Sequence, residues 1–138
     1  MVNTHPLANT DGDWSERNRF YPAHRAQLAV LADTVGSVPT PVVVCGDFNV
    51  DRDSALFADF LEQAMLADVF EGRCPPTFRA AYLPAGRRSC CIDFILAGGE
   101  VKAATAEVVL AGEQPMRGGP GFVSDHVGLS ARLHVLDA

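Results

Sequence analysis

The chain has 138 residues, enough for one domain with a real core and too few for two. Hydrophobic residues make up 48% and charged residues 20%, which excludes intrinsic disorder. A formal charge of −6 excludes a broad basic field that would hold nucleic acid or an anionic membrane by counterion release, so an anionic substrate needs a metal or a local arginine cluster.

No run approaches the roughly 20 apolar residues of a membrane span. The start, MVNTHPLANTDGDW, lacks the basic and apolar segments of a signal peptide, which predicts a soluble, cytoplasmic chain. Asn3-Thr4-His5 closes a very short apolar opening. Pro6 to Asn18 is polar and turn-rich, a long loop around the single tryptophan, Trp14, where it can meet a lipid or a base. From Phe20 to Val35, Leu28, Leu31, Ala32 and Val35 recur at helical spacing, and Gly36 stands where a C-cap belongs. Pro41-Val42-Val43-Val44-Cys45 is a continuous apolar run ending at Gly46, which predicts a central strand buried on both faces with Cys45 as packing. Asp53 or Ser54 caps a second helix reaching Met65, with Leu56, Phe57, Phe60, Leu61 and Ala64 on one stripe.

Cys91 to Leu96 and Val101 to Leu110 read as strands around a Gly98-Gly99 turn. Ala111 to Phe122, rich in glycine and proline, reads as a flexible connection. Val127, Leu129, Ala131, Leu133 and Val135 alternate with polar or small residues, predicting a last strand with one buried face. Cys45, Cys74, Cys90 and Cys91 show no paired CxxC spacing, so they read as reduced, partly buried thiols.

Chemistry-bearing residues gather at strand ends. Asp47 and Asn49, two apart after the apolar run, can turn their oxygens to one side while Phe48 packs inward, a donor pair that suits a hard cation such as Mg²⁺. The same spacing also serves as an Asx turn. Ser124-Asp125-His126 sets an acid beside an imidazole, offering a metal oxygen and a general base. Asp93, an acid inside an apolar strand, needs a partner to be stable there, and His126 is the natural one.

Asn3-Thr4-His5, Gly46-Asp47-Phe48-Asn49, Ile92-Asp93-Phe94-Ile95 and Ser124-Asp125-His126, in that order, resemble the endonuclease/exonuclease/phosphatase superfamily. The resemblance, to the C-terminal half of such a domain only, implies an α/β (α+β) fold: half of a four-layered sandwich of two β-sheets flanked by helices, spanning 1–138. It implies metal-dependent hydrolysis of a phosphate ester with Mg²⁺ or Mn²⁺ as cofactor. His126 is then the general base, Asp93 its partner, and Asp47, Asn49 and Asp125 the metal site. His5, Asn49 and Arg25 then bind the phosphate. A lipid, a nucleic acid or an inositol phosphate fits as substrate. Family domains are about twice this length, and the glutamate that usually leads the metal site has no counterpart among Glu16, Glu62, Glu71, Glu100, Glu107 and Glu113. That predicts a fragment or subunit, weakly active alone, that joins an N-terminal half or a second copy of itself. A non-catalytic interaction module that keeps the half-fold is the alternative. Arg17, Arg19, Arg25, Arg73, Arg79, Arg87 and Arg88 either line an anionic cleft or are solvated surface.

Overall fold

The computed structural model describes residues 1–136. Its elements in chain order are β1 (Val2–Thr4), α1 (Tyr21–Ser37), β2 (Val42–Asp47), α2 (Ala55–Ala64), β3 (Ala67–Asp68), β4 (Asp93–Gly98), β5 (Val101–Val109), β6 (Gln114–Met116), β7 (Gly119–Gly121) and β8 (Gly128–Val135). The two-sheet half-sandwich is corrected: among the described residues there are three sheets, one of four strands in the order β1-β2-β4-β3 and two ribbons, β5-β8 and β6-β7. This is an α+β arrangement. Strand β1 pairs parallel to β2, whereas β4 runs antiparallel to β2 and β3. Among the described residues the alternating last strand pairs with β5 alone, so it forms a ribbon instead of widening a second sheet.

Helices α1 and α2 cover the four-stranded sheet. Leu28, Leu31, Ala32 and Val35 of α1 join Leu56, Phe57, Phe60 and Ala64 of α2 in one core with Val42, Val44, Phe94 and Leu96. Phe48, fully buried just beyond β2, meets Phe94 edge-on at 5.5 Å and Phe57 edge-on at 6.2 Å. The expectation of burial on both faces of β2 is corrected, because Val43 and Cys45 alternate with buried Val42 and Val44 and are only half-buried. Val108 and Leu129 of the β5-β8 ribbon are partly buried against this core.

Helix α1 runs through Gly36 and ends at Ser37, with Val38 as C-cap, since the glycine keeps a helical backbone there. Helix α2 begins where its cap directs: the Ser54 hydroxyl accepts the Phe57 N–H at 3.2 Å. Ser54→Ala is therefore expected to cost about 1 kcal/mol, read as a lowered urea midpoint at unchanged slope. At its other end Met65 takes the left-handed conformation, φ 51°, and closes the helix. Residues 111–122, expected as a flexible connection, hold the β6-β7 hairpin, whose turn uses Gly118 and Gly119 at φ 113° and 125°. The last strand is also less buried than its alternation suggests. Leu129, Ala131 and Leu133 are half-buried and Val135 is 59% exposed. No helix among the described residues is long and apolar enough to cross a membrane.

Candidate functional site

The end of β2 sets the site. Strands β1 and β2 are parallel with Thr4 opposite Gly46, so His5 leaves β1 beside Asp47, and Asp47 faces Asp93 across the antiparallel β2-β4 pair. His126 comes from the segment entering β8. Its Nδ1 lies 2.7 Å from Asp93 Oδ2 and its Nε2 3.8 Å from Asp47 Oδ2. His5 Nε2 approaches the same Asp47 oxygen at 3.5 Å. Four side chains separated by more than 120 positions in sequence thus meet at one sheet end.

Asn49 completes a tight turn. It sits at φ 53°, a conformation asparagine tolerates. Its backbone N–H donates to Asp47 Oδ1 at 2.8 Å, and its side-chain amide donates to the Pro6 carbonyl at 3.1 Å. Trp14, expected as an exposed contact for a lipid or a base, is corrected here: it is half-buried against the core, and its indole N–H donates to the Asn49 carbonyl at 2.9 Å. The polar loop is folded onto the site by these bonds.

Two groups titrate away from their ordinary values. Burial, reinforced by facing Asp93, pushes the Asp47 carboxyl up, against the opposing bond from the Asn49 N–H. The hydrogen bond to Asp93 raises the His126 imidazole, against the cost of its burial. His126 therefore binds its proton more tightly folded than unfolded. Its contribution to stability is complete below the ordinary value of 6.5 and fades as the pH rises through the elevated folded value. Asp47 acts in the same sense at lower pH, since its ionised form is disfavoured by folding. The metal-free protein is expected to melt at lower temperature as the pH climbs above about 6.5, and His126→Asn to flatten that part of the curve.

Asp47, Asp93 and His126 each offer one ligand atom within 4.8 Å of the others. Two partly buried carboxylates suit a hard divalent cation, and Asp47 has only histidines as ion-pair partners among the described residues. No glutamate joins this group, and neither does Asp125. The Asp125 side chain is exposed and its Oδ1 accepts from the Ser124 hydroxyl at 3.3 Å, although its charge still helps to raise His126. Arg25 is exposed on α1, and the groove beside His5 is lined by its neighbours Ala26 and Gln27.

Five of the seven arginines singled out in the sequence have partners of their own. Arg19 pairs with Asp11, Arg73 with Glu71, and Arg88 with buried Asp51, while Arg87 donates to the Thr10 carbonyl. Arg79 is itself buried and bonded to carbonyls. The cysteines are free thiols. Burial raises Cys90 to about 11, which leaves it a poor nucleophile. Sequence reasoning missed Thr77, whose buried hydroxyl accepts the N–H groups of Ile92 and Asp93 at 3.0 and 3.1 Å. Its only signal was a polar residue in the stretch before β4.

Comparison with known proteins follows the same lines. The endonuclease/exonuclease/phosphatase family model matches residues 4–126. Among solved structures, a D. rerio TDP2 complexed with single-strand DNA product aligns with a TM-score of 0.67 and 20% identity, over 87% of this chain and 52% of that one. A mannosyl-6-phosphatase from Bacteroides thetaiotaomicron gives 0.66 and 19%, over 87% and 48%. The beta toxin of Staphylococcus aureus gives 0.64 and 20%, over 94% and 50%. At these identities the likeness is one of fold. No curated protein matches the chain. The expected likeness to a C-terminal half only is corrected, because the family model and these structures align with almost the whole chain. The chain spans about half the length of the structures it matches.

Proposed function

The chain belongs to the endonuclease/exonuclease/phosphatase family, and we propose that it hydrolyses a phosphate ester with the help of Mg²⁺ or Mn²⁺. The observation that carries this reading is the convergence of Asp47, Asp93 and His126, with the His126 Nδ1 held by Asp93 and its Nε2 turned to Asp47. An imidazole fixed at one nitrogen by a carboxylate keeps its other nitrogen to take a proton from water, the task of a general base. Asp47 and Asp93 would hold the cation, and Asp125 adds negative charge on the outer side. A bound divalent ion supplies positive charge against the phosphate oxygens and makes water more acidic. His5 and Asn49 flank Asp47 and are assigned to the phosphate, with Arg25 at a distance.

Activity of the chain by itself is expected to be low. One of the two carboxylates already serves His126, no glutamate reinforces them, and Mg²⁺ gives up its waters reluctantly. The test is hydrolysis of bis(p-nitrophenyl) phosphate and of a phosphomonoester with added Mg²⁺ or Mn²⁺. Slow turnover that EDTA abolishes and Asp47→Asn lowers is expected. Turnover indifferent to both sinks the reading, and its complete absence with every ester favours an interaction module.

A further inference from the structure

Between the 3₁₀ turn Ala80–Tyr82 and the preceding loop lies a tripeptide, Thr77-Phe78-Arg79, that forms no part of a named strand yet touches both halves of the Asp93–His126 pair. On one side, the Thr77 hydroxyl accepts the N–H groups of Ile92 and Asp93, and the Thr77 N–H donates to the Cys90 carbonyl at 3.0 Å. On the other side, the Val127 N–H donates to the Thr77 carbonyl at 2.9 Å and the Arg79 N–H to the Asp125 carbonyl at 2.8 Å, with Phe78 bridged to His126 between them. The Phe78 ring stands edge-on to the imidazole at 5.0 Å.

The Arg79 side chain continues the clamp. Only 9% of the residue is exposed, and among the described residues its guanidinium has no carboxylate partner. It donates instead to the carbonyls of Ser124 and Ala111, each at 2.8 Å, and to that of Leu110, with the Phe122 ring 4.1 Å away. A buried cation held by carbonyl dipoles and one aromatic face, with no carboxylate among the described residues, is costly where a neutral side chain would pack, and here it ties those backbone segments together. It joins the end of β5 to the segment carrying Asp125 and His126.

We propose that Thr77 and Arg79 are positioning residues that set the distance between Asp93 and His126 from its two sides. Thr77 fixes the acid's backbone and Arg79 the segment that delivers the imidazole. This rests on the proposed hydrolytic role of that pair. A misplacement of about 1 Å in such a pair costs on the order of 100-fold in rate.

The test uses the full chain with Thr77→Val, which keeps shape and removes the acceptor, and Arg79→Lys, which keeps charge and loses the fork. Exposed Arg73→Lys is the control. In ¹⁵N-histidine spectra, the wild-type His126 Nδ1 is expected to show a bonded nitrogen with a slowly exchanging proton, absent in His126→Asn. Both variants are expected to weaken that signature and to lower kcat by 10-fold or more while KM changes little. If the bonded signature and kcat persist in folded Thr77→Val and Arg79→Lys, the proposal is overturned. Should wild type prove inactive, the hydrolytic reading fails, and the spectra alone decide whether these residues position the pair. If Arg79→Lys does not fold, Thr77→Val decides by the same signature and the same kcat.

Discussion

Replacing His126 with asparagine is expected to lower Mg²⁺-dependent kcat by about 10²- to 10⁴-fold, the usual worth of a positioned general base. Asparagine keeps a polar group near the position of Nδ1 but is smaller than histidine and has nothing to take a proton at the position of Nε2, which faces Asp47 at 3.8 Å. The pH profile separates loss of the base from loss of structure. Because the bond to Asp93 raises the imidazole, the neutral base becomes available only above the ordinary value of 6.5, and wild-type kcat/KM should climb through that region. The residual rate of His126→Asn should lack that rise. An unchanged acidic limb in the variant assigns the base to another group. Asp93→Asn should act in the same direction, since an amide at 2.7 Å no longer stabilises the imidazolium.

What the sequence made legible was each residue whose type conflicts with its surroundings. Asp93 in an apolar strand had to be paired or functional, whereas Asp47 at the end of an apolar run read equally as an Asx turn; it makes that turn with the Asn49 N–H and stands in the cluster as well. Helix α2 was legible because stripe and cap agree, Ser54 standing two residues before Leu56, where the stripe of Leu56, Phe57 and Phe60 begins. The sheet arrangement was not, since alternation in residues 127–135 reports a face and says nothing about how many strands cover it. The ribbon with β5 satisfies the same pattern as a wide second sheet. The hairpin in residues 111–122 was hidden for a related reason: glycine and proline mark turns and loosely ordered chain alike, and only the pairing of Gln114 with Gly121 distinguishes them. Thr77 and Arg79 were the least visible. They act on backbone carbonyls and N–H groups, which every residue carries and no motif records.

Gly46→Ala is expected to be the most damaging single methyl in the chain. Gly46 has φ 144°, a backbone that side-chain-bearing residues rarely adopt, and a Cβ built there falls 2.0 Å from the Thr4 carbonyl oxygen. The strained backbone alone costs about 1–3 kcal/mol. Overlap with a carbonyl cannot be relieved by rotating a side chain, so β1 must move away from β2, and the total loss should be roughly 3 kcal/mol or more. The displacement also reaches the site, because Thr4 precedes His5, which approaches Asp47 at 3.5 Å, and Pro6, which accepts from Asn49 at 3.1 Å. Urea unfolding of Gly46→Ala should show a much lower midpoint, and the folded fraction should bind phosphate esters with raised KM. Gly36→Ala is the matched control. Gly36 lies inside α1 with nothing within 4 Å of its added Cβ, so the same methyl should stabilise by about 0.5–1 kcal/mol. Equal effects at the two positions refute the claim that close packing of β1 on Gly46 holds His5 beside Asp47.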